Sequence, residues 1–212
     1  MVNLARYRGR DFFWDPFCGS GTICIEAAMI ALNRAPGLNR SFMAQKWACV
    51  PETVWQQART EALDREYRGE YHILGSDIDA ASLEIAQQNA RKAGVGKLIE
   101  FREADATKMS LPADKGLIVC NPPYLTQDEM GEISVEVAKE PSLALYGGQD
   151  GLDFYRRLAA GGRSFLAPGG CLMMEIGSKQ GKSVPALFEA GYETSVYQDI
   201  NGLPRVVRAQ GL

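Results

Sequence analysis

Four short stretches of this chain hold residues whose types and spacing suit the binding and reaction of a small ligand. The first, Asp15-Pro16-Phe17-Cys18-Gly19-Ser20-Gly21-Thr22, sets two glycines just behind a carboxylate. Glycine lets backbone N–H groups approach a ligand closely and tolerates positive φ, so a turn of this kind between a strand and its helix is where a nucleotide-like ligand is expected. A tight turn with no ligand is the plainer alternative. The stretch is not a P-loop, since no Gly-Lys-Ser/Thr follows, and Cys24 stands where a dinucleotide fingerprint needs its third glycine. The second stretch supplies Asp77, a carboxylate able to accept both hydroxyls of a ribose, with Asp79 better placed to cap the helix that follows. The third supplies Asp105, which could receive the amino group of an adenine. Taken singly, each of these acids is more often a solvated loop residue.

The fourth stretch, Asn121-Pro122-Pro123-Tyr124, is the most specific. Consecutive prolines hold the chain extended and remove backbone donors, which leaves carbonyls aimed at whatever occupies the pocket. With the Asn121 side-chain oxygen and the Pro122 carbonyl both accepting, the site suits an –NH2 donor, and Tyr124 offers a flat face to the planar group carrying it. A Pro-Pro loop terminator without chemistry is the alternative. The single histidine, His72, reads as a structural strand residue, and Cys18 reads as a packing residue and not a nucleophile.

These stretches need elements to hold them, and the chain alternates short apolar runs with amphipathic ones, the pattern of an α/β fold with a largely parallel sheet. Phe12 to Asp15 predicts the first strand and Thr22 to Asn33 its helix. Residues 34 to 70 break the rhythm and read as an insert, a loop at Pro36-Gly37 and then a helix from Pro51 to Arg68. Tyr71 to Asp77 is the second strand, followed by a helix from Ala80 to Ala93 that Asp79 opens and Gly94 closes. Leu98 to Arg102 and Gly116 to Cys120 are brief enough to be buried central strands. A helix from Gly151 to Phe165, a strand from Cys171 to Ile176, a helix from Val184 to Ala190 and strands at Glu193 to Gln198 and Arg205 to Ala209 complete seven strands in one domain spanning 1–212.

Composition narrows the class. The 212 residues are 46% hydrophobic and 23% charged, enough to bury a full core. A net charge of −3 from 26 acids and 23 bases argues against a strong nucleic-acid field, though not against a local basic patch. The five cysteines form no CxxC pair and sit in or beside apolar runs, as reduced thiols of a cytoplasmic protein would. No apolar run is long enough to span a membrane, and no metal-ligating cluster stands out.

The order of these motifs resembles the class I, S-adenosylmethionine-dependent amino-methyltransferases, whose hallmarks are a Gly-rich first motif, an acid after the second strand and Asn-Pro-Pro-Tyr after the fourth. The fold implied is Rossmann-like, a seven-stranded, mostly parallel sheet with helices on both faces. Residues from about 10 to 115, with the Asp15 to Thr22 stretch, Ala35-Pro36-Gly37-Leu38-Asn39-Arg40, Lys46-Trp47 and Gly75-Ser76-Asp77-Ile78-Asp79, look like the bacterial THUMP-containing rRNA guanine-N2 methyltransferases, often labelled N6-adenine DNA methylases. From about 117 onward, Asn121 to Tyr124, Glu140-Pro141, Gly147-Gly148, Asp150 to Arg156, Glu175-Ile176-Gly177 and Arg205-Val206-Val207 resemble the HemK/PrmC family, which methylates the glutamine of peptide release factors. A hybrid switching families at about 105–117 is one expectation, and a hybrid that folds without turning over is its inactive form. The resemblance implies an S-adenosyl-L-methionine site made by Asp15, Phe17, Gly19, Gly21, Thr22, Asp77, Ile78, Asp105, Ala106 and Asn121. Asn121, Pro122 and Tyr124 would be catalytic, and no metal is implied. It ranks a release-factor glutamine first as acceptor, with guanine-N2 or adenine-N6 of rRNA as the alternative.

Overall fold

The computed structural model describes residues 1–108, 115–134 and 137–212. Its strands are β1 (Phe12–Asp15), β2 (Ile73–Asp77), β3 (Ile99–Glu103), β4 (Gly116–Cys120), β5 (Cys171–Glu175), β6 (Tyr192–Gln198) and β7 (Pro204–Gly211). The helices are α1 (Thr22–Leu32), α2 (Glu52–Asp64), α3 (Ala80–Ala93), α4 (Gln127–Met130), α5 (Ser142–Leu145), α6 (Asp153–Gly161) and α7 (Ser183–Ala186). The strands form one seven-stranded sheet in the order β3-β2-β1-β4-β5-β7-β6. Only β7 runs against its neighbours, so the mostly parallel sheet expected from the alternating pattern is present. The expected family switch lies between β3 and β4, and its residues 109–114 fall outside the described residues.

Side chains alternate across the pleat and build a core on each face. Phe13, Leu117, Val119, Cys171 and Met173 point to one face and pack with Cys24, Ala27 and Ala31 of α1 and Leu83 and Ala90 of α3. Trp14, Ile118, Cys120, Leu172 and Met174 point to the other, where Tyr155 and Leu158 of α6 and Val184 and Phe188 cover them. Every residue of β4 is therefore buried, as its unbroken apolar run predicts. One polar link crosses the core: the Trp14 indole N–H donates to the buried Ser76 hydroxyl at 3.0 Å.

Several expectations change. β3 is an edge strand with exposed Glu100, Arg102 and Glu103, because sheet position is decided by crossovers and not by strand length. His72 lies outside β2, exposed and stacked on Phe12 with ring centroids 6.3 Å apart, far from the carboxyl ends of the strands. The insert helix is shorter than the Pro51 to Arg68 run, since none of its residues is buried and packing does not extend it. The helix after Gly151 gives way at Gly161-Gly162 to a 3-10 turn, and the Val184 to Ala190 run is regular only over α7. All five cysteines are free thiols, but Cys49 is exposed and not packed in an apolar run.

Candidate active site

The carboxyl ends of β1 to β5 lie on one side of the sheet, and the strand order reverses between β1 and β4. Such a switch point opens a crevice above the sheet where ligands of α/β folds sit. Asp15 closes β1 and Asn121 follows β4, so the structure brings the first and fourth sequence stretches to the two lips of that crevice.

The glycine turn is held from the neighbouring strand. Cys18 N–H donates to the Ser76 carbonyl at 3.0 Å, and Gly19 N–H donates to Asp77 Oδ2 at 2.8 Å. Gly21, at φ 83, is the N-cap of α1, and a side chain there would meet Ala86 Cβ at 2.9 Å. Only glycine fits. A side chain at Gly19, by contrast, would enter open space. Because Gly21 has no side chain and α1 carries no acid in its first turn, the N–H groups opening α1 around Thr22 face the crevice without a capping partner.

The acids are engaged differently from the sequence expectation. Asp77 is a strut of the turn: its Oδ2 receives Gly19 N–H and its Oδ1 receives Asp79 N–H at 3.0 Å, leaving one lone pair on each oxygen for a ribose. Asp79 caps α3 as anticipated, accepting from Ala81 and Ser82 N–H. The Ser82 hydroxyl, also donating to it, holds its carboxyl below the usual range. Asp105 accepts from Thr107 N–H at 2.8 Å and pairs with Lys108 at 3.1 Å. The Thr107 hydroxyl and N–H, with Lys108, bring its pKa down to about 2. Ala104 N–H donates to the Asp77 carbonyl, which ties this loop to the Asp77 corner. Ile78 is half-exposed beside that corner.

Asp15 is the unusual one. It is fully buried, its Oδ1 accepts Phe17 N–H at 3.1 Å, and its Oδ2 has no partner. Burial pushes its pKa up to about 8, with the Phe17 hydrogen bond opposing and the Asp77 charge adding to the rise. An orphaned buried carboxylate oxygen at the lip of an open turn fits a positively charged ligand group. Cys18 and Cys24 beside it are pushed up by burial, so neither is a thiolate and Cys18 is a packing residue. Phe17 stacks edge-on against Phe154 at 5.1 Å, and together with Ala106, Thr107 and Arg157 these rings line a cleft of about 280 Å3.

On the other lip, Asn121 is exposed while Pro122 and Pro123 are buried. No described residue bonds to the Asn121 side chain or donates to the Pro122 carbonyl. Both acceptors are open to a ligand. Tyr124 is half-buried, and burial together with the nearby Glu175 charge raises its hydroxyl pKa, with Arg205 opposing.

Sequence reading missed the supports of this lip. The Gln180 amide donates to the Tyr124 and Gly151 carbonyls at 3.3 and 3.0 Å, while its oxygen accepts Gly177 N–H at 2.9 Å. Tyr155 hydroxyl donates to the Glu175 carbonyl at 2.7 Å. Gly147 lies so close to Pro123 and Tyr124 that a side chain would strike the Pro123 carbonyl at 2.6 Å. Of these supports Gly147-Gly148, Gly151 and Tyr155 within Asp150 to Arg156, and Glu175-Ile176-Gly177 stand out in sequence, and only through the resemblance, whereas Gln180 carries no signal. Among the described residues no group of three or more His, Cys, Asp or Glu is disposed to hold a metal. No described helix is long and apolar enough to cross a membrane.

The topology and this crevice define a Rossmann-like α/β domain of the class I methyltransferase kind. Residues 1–133 match the family model UPF0020, described as RMKL-like, methyltransferase domain, and the chain belongs to that family. It is 42% identical over 125 residues to the "Putative RNA methyltransferase YpsC" of Bacillus subtilis (strain 168), covering 58% of this chain and 32% of that protein. A "possible methylase" from Clostridium difficile 630 superposes with a TM-score of 0.74 at 30% identity over 99% of this chain and 50% of its own. A "predicted N6-adenine-specific DNA methylase" from Listeria monocytogenes str. 4b F2365 gives 0.76 at 30% identity over 100% of this chain and 49% of its own. The chain thus spans about a third of the curated relative and half of each solved one. These matches support the rRNA-methyltransferase side of the resemblance. They lend none to the HemK/PrmC side or to a hybrid, and both solved structures superpose across the expected switch.

Proposed function

We propose that this chain is the catalytic domain of an S-adenosylmethionine-dependent N-methyltransferase whose acceptor is the exocyclic amine of a nucleic-acid base. The observation that carries the reading is the crevice itself, with the open glycine turn and orphaned Asp15 on one lip and the unengaged Asn121 and Pro122 acceptors on the other. When bound, the cofactor supplies a methyl group on a positively charged sulfur, open to in-line attack by nitrogen. Gly19, Gly21, Thr22 and the first N–H groups of α1 would hold its carboxylate, and Asp15 the positive charge near it. Asp77, Ile78, Asp105, Ala106 and Phe17 would hold the nucleoside end. Asn121 Oδ1 and the Pro122 carbonyl accept the two N–H bonds of the target amine, which fixes the nitrogen and favours positive charge developing on it. Tyr124 stacks on the base, and Gln180 keeps that loop in place.

The names of the relatives, an RNA methyltransferase and an adenine-specific DNA methylase, favour nucleic acid over a release factor. One observation favours the protein-glutamine reading. Beyond the acceptor lip Asp128, Glu132 and Glu140 are exposed with no ion-pair partner among the described residues, while Glu129 pairs with Lys179 and Asp150 and Asp153 with Arg156, which leaves a moderately acidic rim. Calorimetric titration with S-adenosylhomocysteine, then transfer of labelled methyl from S-adenosylmethionine to ribosomal RNA or to a glutamine-containing release-factor peptide, decides between them. Label in digested nucleosides is the expected result. Label in the peptide alone would replace the nucleic-acid reading with the glutamine one, and absence of cofactor binding would overturn both.

A further inference from the structure

The rim beyond the acceptor lip holds more acids than bases, so a nucleic-acid substrate gains from cationic contacts elsewhere on the domain. The insert offers the place. It leaves the far end of α1, about 16 Å from the glycine turn at 1.5 Å per residue, and runs through a 3-10 turn at Met43–Lys46 into α2, none of whose residues is buried. Its root is clasped: Arg34 pairs with Glu66 at 2.6 Å and donates to the Ala93 and Gly94 carbonyls, and the Asn33 amide donates to the Arg65 carbonyl at 2.9 Å.

Beyond the root the arm shows an unusual surface for an acidic chain. Phe42, Met43 and Trp47 are 42%, 73% and 60% exposed, and Phe42 lies flat against Trp55 with centroids 6.0 Å apart at 17°. That stacked pair keeps its shape because Gly37 lets the Phe42 ring close on the backbone and Gln45 binds Phe42 N–H at 2.8 Å. Arg40 and Lys46 are exposed, and among the described residues neither forms an ion pair. Arg59 donates to the Arg40 carbonyl at 3.0 Å. Between residues 40 and 59 the only acid is Glu52.

Flat exposed aromatics interleaved with unpaired cations are what single-stranded nucleic acid requires: π faces for stacking bases and positive charge for the backbone. We propose that the 34–66 arm is a single-stranded RNA platform that anchors the substrate outside the crevice. This rests on the nucleic-acid reading above. Charge complementarity selects the occupant, since between residues 40 and 59 Arg40, Lys46 and Arg59 oppose Glu52 alone.

The test uses the whole 212-residue chain and a fluorescein-labelled 20-nucleotide RNA of mixed sequence, with anisotropy read at several salt concentrations. Arg40→Glu and Lys46→Glu should each raise Kd about tenfold and flatten the log–log salt slope by about 0.7 per lost phosphate contact. Trp47→Ala should raise Kd at least about fivefold with the slope unchanged, as a stacking loss does. All three side chains are exposed, so S-adenosylhomocysteine affinity should stay as in the parent and report an intact fold. RNA binding that ignores all three variants overturns the platform, even where base methylation stands. Binding that depends on them while only a glutamine peptide is methylated keeps the platform and removes the nucleic-acid reading. A parent chain that binds S-adenosylhomocysteine but no RNA at about 50 mM salt, low enough for phosphate contacts to hold, overturns the platform.

Discussion

In the proposed reaction Asn121 is the residue that sets a side-chain acceptor beside the Pro122 carbonyl. Asn121→Ala should leave cofactor affinity intact and lower kcat by about 100-fold or more, the effect of losing one preorganised polar contact to developing charge. Retained turnover in that variant would remove Asn121 from the reaction. Asp15 makes a second prediction, through pH. With its folded pKa at about 8 and that of an unfolded aspartate near 3.8, the folded state binds the extra proton between those values. Stability therefore falls as pH rises through the window, and below it the two states are alike. Asp15→Asn should lose this slope and gain on the parent by on the order of 3–5 kcal/mol between pH 4 and pH 8. Parallel pH profiles in urea denaturation would show that the buried carboxyl is not the cause. Neither property of Asp15 is visible in sequence, where it is one acid among 26 acidic residues. Its isolation comes from complete burial in three dimensions, close to the buried Cys18, Cys24 and Cys120.

At the scale of elements, local signals were legible and long-range ones were not. β1, β4 and the span of α3 match the sequence reading because each is marked by its own residues: apolar runs ending at Asp15 and Cys120, and a cap-to-Gly94 frame. The edge position of β3 and the strut role of Asp77 depend on partners distant in sequence, the latter on a hydrogen bond to Gly19, and no window of sequence contains both ends. Two substitutions separate the roles of neighbouring acids on the β2–α3 turn. Asp79→Ala removes the α3 cap and should lower Tm by roughly 2–4 °C with cofactor affinity unchanged. Asp77→Ala frees the glycine turn as well as losing its ribose contacts, so it should weaken S-adenosylhomocysteine binding by about 100-fold, a loss of two or more charge-assisted hydrogen bonds. Equal effects of the two on binding, measured by calorimetry, would mean that Asp77 acts only as a cap.

At the scale of the molecule, the hydrogen bonds and ion pair that tie the insert arm to the domain among the described residues cluster at its root, away from the crevice. Arg34, Asn33, Arg65 and Glu66 hold that root, and the chain ends they join lie side by side. α2 buries nothing against the sheet, so the two core clusters owe it no apolar area. The composition masked this, since a net charge of −3 does not show that Arg40, Lys46 and Arg59 share the 40–59 segment with Glu52 alone. Replacing residues 37–63 by a short Gly-Ser turn is then expected to keep the sheet and the crevice. Closing a shorter loop changes chain entropy by only about 1 kcal/mol, so cofactor affinity should hold within about twofold. RNA affinity should fall to the level of the Arg40 and Lys46 variants or below. Calorimetry and anisotropy on the same preparation read both quantities. Lost cofactor binding would show that the arm helps to shape the glycine turn through α1, and lost RNA binding alone is the result that a detached platform requires.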